Sequence, residues 1–101
     1  MAHLNITELA NQGRDTNNNL LPVMQMPAIT VQDIAIGASS TQASAFQSQT
    51  GCIRISCDIP CAYLVGTNPT ATAQSTYMPA GTVEYLAVPV GKSFKIAVIA
   101  A

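Results

Sequence analysis

From residue 28 onward, apolar and polar residues alternate in short runs that are separated by turn-forming residues. The clearest run is 51–58, in which alternation places Ile53, Ile55 and Cys57 on one side and Cys52, Arg54 and Ser56 on the other. Comparable short runs occupy 29–36, 42–49, 61–66, 82–88 and 93–99. Short strands of period two are typical of all-β domains. The pattern therefore predicts a small antiparallel β-sandwich, of which the jelly roll is one form.

The first strand of this region contains a change of phase. Ile29 and Val31 alternate on one parity, whereas Ile34 and Ile36 alternate on the other. A one-residue shift moves side chains to the opposite face of a sheet. We therefore expect a bulge or a kink near Gln32.

The last two apolar runs are joined by Pro89-Val90-Gly91-Lys92, a connection that suits a hairpin. Glu84 and Lys95 would then lie on the outside of the paired strands. Alternation predicts that the shared inner face carries Val83, Tyr85, Ala87, Phe94, Ile96 and Val98.

Residues 1–27 have a different pattern. Leu4, Glu8 and Leu9 fit a short helix, but Pro22 and Pro27 oppose a helix further along the chain. We interpret 1–27 as an extended N-terminal arm and 28–101 as the sandwich domain. The arm's candidate partner-binding residues are the apolar ones in its second half, namely Leu20, Leu21, Val23, Met24 and Met26.

Few residues of this chain are charged. Asp, Glu, Lys and Arg make up 9% of the 101 residues, against roughly 25% in ordinary soluble domains. A surface with so little charge lacks the repulsion that keeps monomers apart, which favours a subunit packed against other subunits, including its own copies. The net charge of −1 argues against nucleic acid or an anionic membrane as a partner. The N-terminus lacks the pattern of a secretory signal, so we expect synthesis in a cytoplasm.

The residues that usually perform catalysis are scarce and scattered. His3 is the one histidine, and a position so near the N-terminus predicts a flexible side chain. The five carboxylates lie far apart in the sequence, although folding could bring Asp33 close to Asp58. We therefore expect no catalytic residue, no cofactor and no enzymatic activity.

Three cysteines, Cys52, Cys57 and Cys61, allow more than one interpretation. Their spacing lacks the C-x2-C pair of common zinc sites, and three thiols are one ligand short, so no metal is expected. A Cys57–Cys61 disulfide stays open, because these residues flank a short turn. The favoured interpretation is reduced, buried cysteines that act as small apolar residues.

The segment 66–75 is predicted to be a long loop that is polar but uncharged. Thr67, Asn68 and Thr70 are candidate partner-binding residues in it, at a loop tip that touches a neighbouring subunit or a ligand. A solvated connection between two strands is the equally weighted alternative.

The C-terminal part of the chain, 63–99, resembles small structural proteins of tailed bacteriophages. The matching segments are Gly66-Thr67-Asn68-Pro69-Thr70-Ala71-Thr72, then Pro79-Ala80-Gly81-Thr82 with Glu84-Tyr85, and finally Lys95-Ile96-Ala97-Val98-Ile99. These motifs are structural rather than catalytic, and residues 1–27 take no part in the resemblance.

The resemblance implies a virion component of β fold, of the head decoration or cement type. Such a subunit would bind the major capsid protein on the outer face of the head, bridge coat subunits and form a dimer or trimer. The alternative is a tail or fibre accessory module that contacts a host glycan or a tail protein through the 66–75 loop. Gene neighbours that encode coat proteins would favour the first role, and gene neighbours that encode fibres the second.

Overall fold

The computed structural model describes residues 2–10, 12–14, 16–17, 19–24 and 28–101. Within these residues the chain forms ten β-strands and no helix, which confirms the predicted all-β fold. No helix in this part of the chain is long and apolar enough to cross a membrane. The strands are β1 His3–Leu9, β2 Gln12–Arg14, β3 Leu20–Met24, β4 Thr30–Ala35, β5 Thr41–Gln42, β6 Cys52–Cys57, β7 Cys61–Gly66, β8 Thr76–Met78, β9 Val83–Ala87 and β10 Lys95–Ala100.

Eight of these strands form two four-stranded antiparallel sheets that pack face to face. The first sheet has the order β4-β1-β6-β9 and the second has the order β5-β10-β7-β8. Strands β2 and β3 pair with each other in a separate two-stranded sheet.

The strand order is that of a jelly roll whose last strand comes first in the sequence. The pairs β4–β1, β5–β10, β6–β9 and β7–β8 alternate between the two sheets, as they do when one long hairpin wraps into a jelly roll. In a regular jelly roll the partner of the first strand comes last in the sequence. Here that partner is β1, which precedes β4. The fold is therefore a circularly permuted jelly roll.

The core lies between the inner faces of the two sheets. The first sheet contributes Leu4, Ile6, Ile53 and Ile55, all of which are inaccessible to solvent. The second sheet contributes Cys61, Tyr63, Met78, Ile96 and Val98, and Phe46 from the segment after β5 joins the same cluster. This set includes Ile96 and Val98, the residues that alternation assigned to the inner face of the last strand.

The first strand corrects the interpretation of residues 1–27. Residues 3–9 do not form a helix or a free arm, because β1 lies inside the first sheet and pairs with β4 on one side and β6 on the other. His3 is likewise part of this strand rather than of a flexible end. Leu4, Ile6 and Glu8 all point inward, so the strand has period two with a carboxylate at its third inward position.

Strand β4 runs without the predicted bulge. It keeps one register against β1 from Thr30 to Ala35, with Ile34 facing the core and Val31 facing outward. The phase change in the sequence therefore reflects an apolar residue on the outer face. By contrast, β6 follows its predicted alternation, with Ile53, Ile55 and Cys57 buried.

The predicted C-terminal hairpin is wrong. Strand β9 pairs with β6 in the first sheet, whereas β10 pairs with β7 and β5 in the second sheet. The connection 88–94 therefore crosses between the sheets. The inner-face assignment of β9 is also wrong, because Val83, Tyr85 and Ala87 are exposed while Glu84 and Leu86 face inward.

A tight turn carries the chain from β8 in the second sheet to β9 in the first. Thr82 N donates to Pro79 O at 3.3 Å, and Gly81 has a φ of 74°. A positive φ at the third position is the requirement of a type II turn, which glycine meets without steric cost. Gly81 is thus the residue that lets the chain turn between β8 and β9.

Candidate interaction surface

The outer face of the first sheet is here called the open face. Alternate residues of its four strands point away from the core and form a flat array: His3, Asn5 and Thr7 from β1, Val31, Asp33 and Ala35 from β4, Cys52, Arg54 and Ser56 from β6, and Val83, Tyr85 and Ala87 from β9. The pairing registers align Val31, Thr7, Arg54 and Tyr85 in one row across the sheet. The open face therefore draws on all four strands of this sheet.

Large apolar side chains are exposed at both margins of the open face. Val31 is 57% exposed at the β4 margin, and Tyr85 and Val83 are 60% and 42% exposed at the β9 margin. Small polar residues such as Thr7 and Ser56 lie between them. Exposed apolar groups in a polar frame are typical of protein–protein contact sites.

His3 and Asp33, together with Asp58 beside them, gather near one end of the open face, whereas Arg54 lies in the row with Thr7 and Tyr85. The backbone N–H of His3 donates to Asp58 Oδ1 at 2.8 Å, and His3 Nδ1 lies 3.8 Å from Asp33 Oδ2. The hydrogen bond from His3 lowers the pKa of Asp58. His3 thus joins the two carboxylates whose proximity the sequence left open. The hydrogen bond from His3 to Asp58 fixes the start of β1.

Part of the outer face of the second sheet is covered by the chain itself. Residues 67–75, here called the strap, leave β7 and fold over β10 towards β5. Gln42 Nε2 of β5 donates to Asn68 Oδ1 at 3.0 Å and to Pro69 O at 2.7 Å. Ser40 Oγ accepts from Ala71 N at 2.9 Å. The strap then returns to β8, which lies on the other side of β7.

Burial confirms that the strap lies across this sheet. Ala62 and Ala97 sit on its outer face, yet their exposures are only 1% and 0%. Pro69 and Ala71 of the strap are themselves buried. The strap therefore covers the β5–β10 side of this sheet, whereas Leu64 of β7 and Tyr77 of β8 remain 43% and 57% exposed on the same outer face.

The candidate residues of the 66–75 loop lie on the strap. Thr67, Asn68 and Thr70 are exposed, but the Asn68 side chain is already bound by Gln42. Thr72 and Ser75 close the strap's second half, since Thr72 N donates to Ser75 Oγ at 3.0 Å and Ser75 N donates to Thr72 O at 2.9 Å. The loop is an anchored cover rather than a projecting tip.

The candidate arm residues divide into two groups. Leu20, Leu21, Val23 and Met24 lie in β3, which pairs with β2 between Gln12↔Met24 and Arg14↔Leu20. Met26 lies outside the described residues. The two-stranded sheet, here called the ribbon, is inserted between β1 and β4, where Ile29 N donates to Glu8 O at 2.7 Å. The chain between these core strands thus forms a hairpin that pairs with itself.

Glu8 anchors the sandwich at the end from which the ribbon leaves. This fully buried carboxylate accepts hydrogen bonds from Thr50 Oγ1 at 2.8 Å, Gln47 N at 2.8 Å and Gln32 Nε2 at 2.9 Å. The Gln32 side chain also accepts from Ser44 N at 2.9 Å. With all of its oxygens bound to protein donors, the carboxylate holds the 43–50 segment against β1 and is not available to a substrate.

A second buried polar contact joins the two sheets. The Tyr63 hydroxyl donates to Glu84 Oε1 at 2.7 Å, which explains why Glu84 faces inward. Burial, followed by this hydrogen bond, raises the pKa of Tyr63 to about 12. Sequence patterning placed Glu84 outside because it does not reveal a hydrogen-bond partner on the opposite sheet.

The cysteines occupy the positions expected of small apolar residues. Cys57 and Cys61 are buried free thiols, and the Cys57 Sγ lies 3.3 Å from Pro79 O. Burial and the neighbouring Cys57 raise the pKa of Cys61 to about 12. Cys52 is half-buried on the open face, and burial raises its pKa as well. A raised pKa keeps a thiol protonated, and the thiolate is the nucleophilic form, so Cys52 and Cys61 are poor nucleophiles.

An apolar pocket of about 350 Å³ opens at the β9 edge of the sandwich. Strand β8 is short and pairs only with residues 61–63 of β7, so the second sheet stops early at this edge. The pocket lies between the rest of β7 and the end of β9. Its lining is Tyr63, Leu64, Val65, Thr76, Leu86, Ala87, Val88, Pro89 and Phe94.

Across the described residues, no group of three or more His, Cys, Asp or Glu side chains is arranged to hold a metal ion. Comparison of the chain with protein-family models, with curated proteins and with solved structures finds no match. The candidate interaction site among the described residues is the open face, with its exposed apolar margins.

Proposed function

We propose that this chain is a structural protein of a bacteriophage particle, a capsid decoration or cement subunit that binds the major capsid protein. The open face and the ribbon would contact adjacent coat subunits on the exterior of the head. The proposal concerns binding alone, and synthesis would take place in the host cytoplasm before attachment to the particle.

One observation carries this proposal, the exposed apolar residues at the margins of the open face. The strap covers the β5–β10 side of the second sheet, whereas no strap is seen over the first sheet, whose open face exposes Val31, Val83 and Tyr85 among the described residues. Burying apolar surface is worth about 25 cal/mol per Å², so a flat partner gains by covering the open face. Of the twelve open-face residues named above, only Asp33 and Arg54 carry a formal charge, so few charges need to be desolvated there.

Two further points support the proposal. Jelly rolls recur in viral capsid proteins, although the same architecture also serves other functions. The resemblance of 63–99 to small phage structural proteins points to the same class. The tail or fibre alternative depended on a projecting 66–75 loop, and no feature of the strap favours it.

The experiment measures binding of purified protein to heads of the phage that carries this gene. Val31→Lys places a charge in the open face, and Thr70→Lys places the same charge at an exposed position of the strap as a matched control. We expect Val31→Lys to weaken binding at least tenfold, because the lysine must be desolvated against the coat, and Thr70→Lys to leave it unchanged.

The opposite result would contradict the proposal. Loss of binding in Thr70→Lys with normal binding in Val31→Lys would transfer the contact to the strap. Absence of wild-type binding to every form of the head would remove the decoration role altogether.

A further inference from the structure

The four edge strands of the sandwich are not equally protected against pairing with another chain. The edges of the second sheet, β5 and β8, have only two and three residues. In the first sheet, β4 carries Asp33 on its outer face, and charges on an edge oppose edge-to-edge pairing. Strand β9 has five residues, and its outward side chains are Val83, Tyr85 and Ala87, none of which is charged. Its one carboxylate, Glu84, points inward and is bound by Tyr63, so β9 is the long edge without an outward charge.

The hydrogen-bond ladder shows which backbone groups of β9 face outward. Val88 N donates to Gly51 O at 3.1 Å, in register with the β6–β9 pairing. Because bonding alternates along an antiparallel strand, Glu84 and Leu86 bond to β6. The N–H and C=O groups of Val83, Tyr85 and Ala87 therefore point away from the sheet. They have no hydrogen-bond partner among the described residues.

We infer that β9 pairs antiparallel with β9 of a second copy of this chain, forming a twofold-symmetric dimer with Tyr85 opposite Tyr85. The inference does not depend on the proposed function. The two first sheets would join into one continuous eight-stranded sheet, and their open faces would become a single surface.

The register follows from hydrogen bonds and charge. Only residues whose backbone N–H and C=O groups point away from the sheet, namely 83, 85 and 87, can pair with another strand. The centre of symmetry therefore lies at residue 84, 85 or 86. Centring on Glu84 would place two carboxylates directly opposite each other, which is destabilising. Centring on Leu86 would leave Val83 unpaired. Centring on Tyr85 pairs Val83 with Ala87 of the other copy, places Glu84 opposite Leu86, and uses every outward-facing group of the strand.

The pocket at this edge supports a second copy as the occupant. Leu86 and Phe94, which line it, are only half-buried in the single chain. A strand added beside β9 removes Leu86 from water. Two five-residue strands form a small interface, below the roughly 1,200 Å² of stable complexes, so the dimer should form at micromolar concentrations or higher.

The test is sedimentation equilibrium of the full chain, without other components, from about 5 to 500 μM. Tyr85→Pro removes an outward N–H, which β6 does not use, and proline is tolerated at such edge positions. Val31→Pro is the matched control, because Val31 has the equivalent outward position on the β4 edge. We expect a wild-type dimer, a dissociation constant at least tenfold weaker in Tyr85→Pro, and no change in Val31→Pro.

A cysteine cross-link tests the register and remains informative if Tyr85→Pro does not fold. In a Cys52→Ser background, Tyr85→Cys should form an intermolecular disulfide on oxidation with oxidised glutathione, and Val31→Cys should not. A wild-type monomer over the whole range, equal effects of both proline variants, or equal cross-linking at both positions would overturn the inference. A trimer or a larger assembly would overturn it as well.

Discussion

Glu8 shows how a single residue can determine the interpretation of a whole segment. Its carboxylate breaks the apolar alternation that begins at Leu4 and Ile6, so the segment resembles a helix with Leu4, Glu8 and Leu9 on one side. In the structure the same residue is a buried acceptor for Thr50, Gln47 and Gln32. The local pattern around Glu8 does not show which residues donate to it, because these donors lie 24 to 42 residues away along the chain.

Removing this carboxylate should be costly. In Glu8→Ala the buried hydroxyl of Thr50 and the N–H of Gln47 lose their acceptor, and each unsatisfied group costs about 1–3 kcal/mol. We expect the free energy of unfolding to fall by about 3 kcal/mol or more, measured by urea denaturation. Gln32→Ala is the control, because it removes only one donor and should cost about 1 kcal/mol. Equal losses in the two variants would contradict the central role of Glu8.

Tyr63 predicts a loss of stability at alkaline pH. Its pKa is near 10 in an unfolded chain and about 12 in the fold, so folding favours the protonated form. The stabilisation is complete below pH 10 and is lost as the pH rises towards 12. We expect a tyrosinate absorbance step near pH 12 that coincides with unfolding and is absent in Tyr63→Phe. A Tyr63 step near pH 10 with the fold intact would contradict this.

At the scale of elements, alternation succeeds where one face is buried and the other is polar. Strand β6 satisfies this condition, and its buried and exposed residues follow the sequence pattern. Strand β9 does not, because Val83 and Tyr85 are apolar on the outside while Glu84 is bound by Tyr63 on the inside. In β9 the apolar residues Val83 and Tyr85 lie on the outer face, so the alternation predicts the wrong side as buried. Pairing between distant strands, which excluded the C-terminal hairpin, leaves no trace in a local pattern.

The ribbon should be separable from the sandwich. Replacing residues 11–27 with a short Asn-Gly turn keeps Glu8 opposite Thr30, and a two-residue turn suits adjacent antiparallel strands. We expect the free energy of unfolding to stay the same or to rise by up to about 2 kcal/mol, because shortening the connection from 17 residues to two is about three halvings of its length, each worth about 0.6 kcal/mol. Binding to phage heads should fall at the same time.

Deleting residues 2–27, by contrast, removes β1 and should abolish folding, as measured by circular dichroism and by the loss of cooperative unfolding. This variant is the control for the ribbon replacement. Head binding that survives the ribbon replacement undiminished would show that the ribbon takes no part in attachment.

At the scale of the whole molecule, the sandwich could be predicted from the sequence but its topology could not. Short alternating runs indicate two packed sheets, yet they do not specify which strands are neighbours. The jelly-roll order depends on β1, which lies between β4 and β6. The sequence interpretation assigned β1 to an arm and therefore left one strand out of the sandwich. The position of the strap could not be predicted either, because the sequence of a polar loop does not show that Gln42 binds it.

The permuted order predicts that the chain can be reopened elsewhere. Ile36 N donates to Ala2 O at 3.1 Å and Ala100 N donates to Gly37 O at 2.8 Å, so the two ends lie beside consecutive residues. Joining residue 101 to residue 2 through a short linker and opening the chain between Thr16 and Asn17 restores regular jelly-roll order. We expect cooperative unfolding within about 2 kcal/mol of the parent, since termini in exposed loops are well tolerated.

The control permutant is opened between Ile55 and Ser56, inside a central strand. It should lose the fold, because the cut divides the paired strand β6 and its buried side chains. If the two permutants were equally stable, the order of the strands would have no bearing on folding.

Residues 2 and 100 lie at the end of the sandwich that is opposite to the ribbon. Both ends lie at the Ile36–Gly37 end of β4, whereas the ribbon leaves from the other end of β1, about 20 Å away at 3.3 Å per residue. A peptide or a fluorescent protein genetically fused to residue 101 would therefore project away from the ribbon. The fold thus offers a natural site for displaying foreign cargo without obstructing the opposite tip.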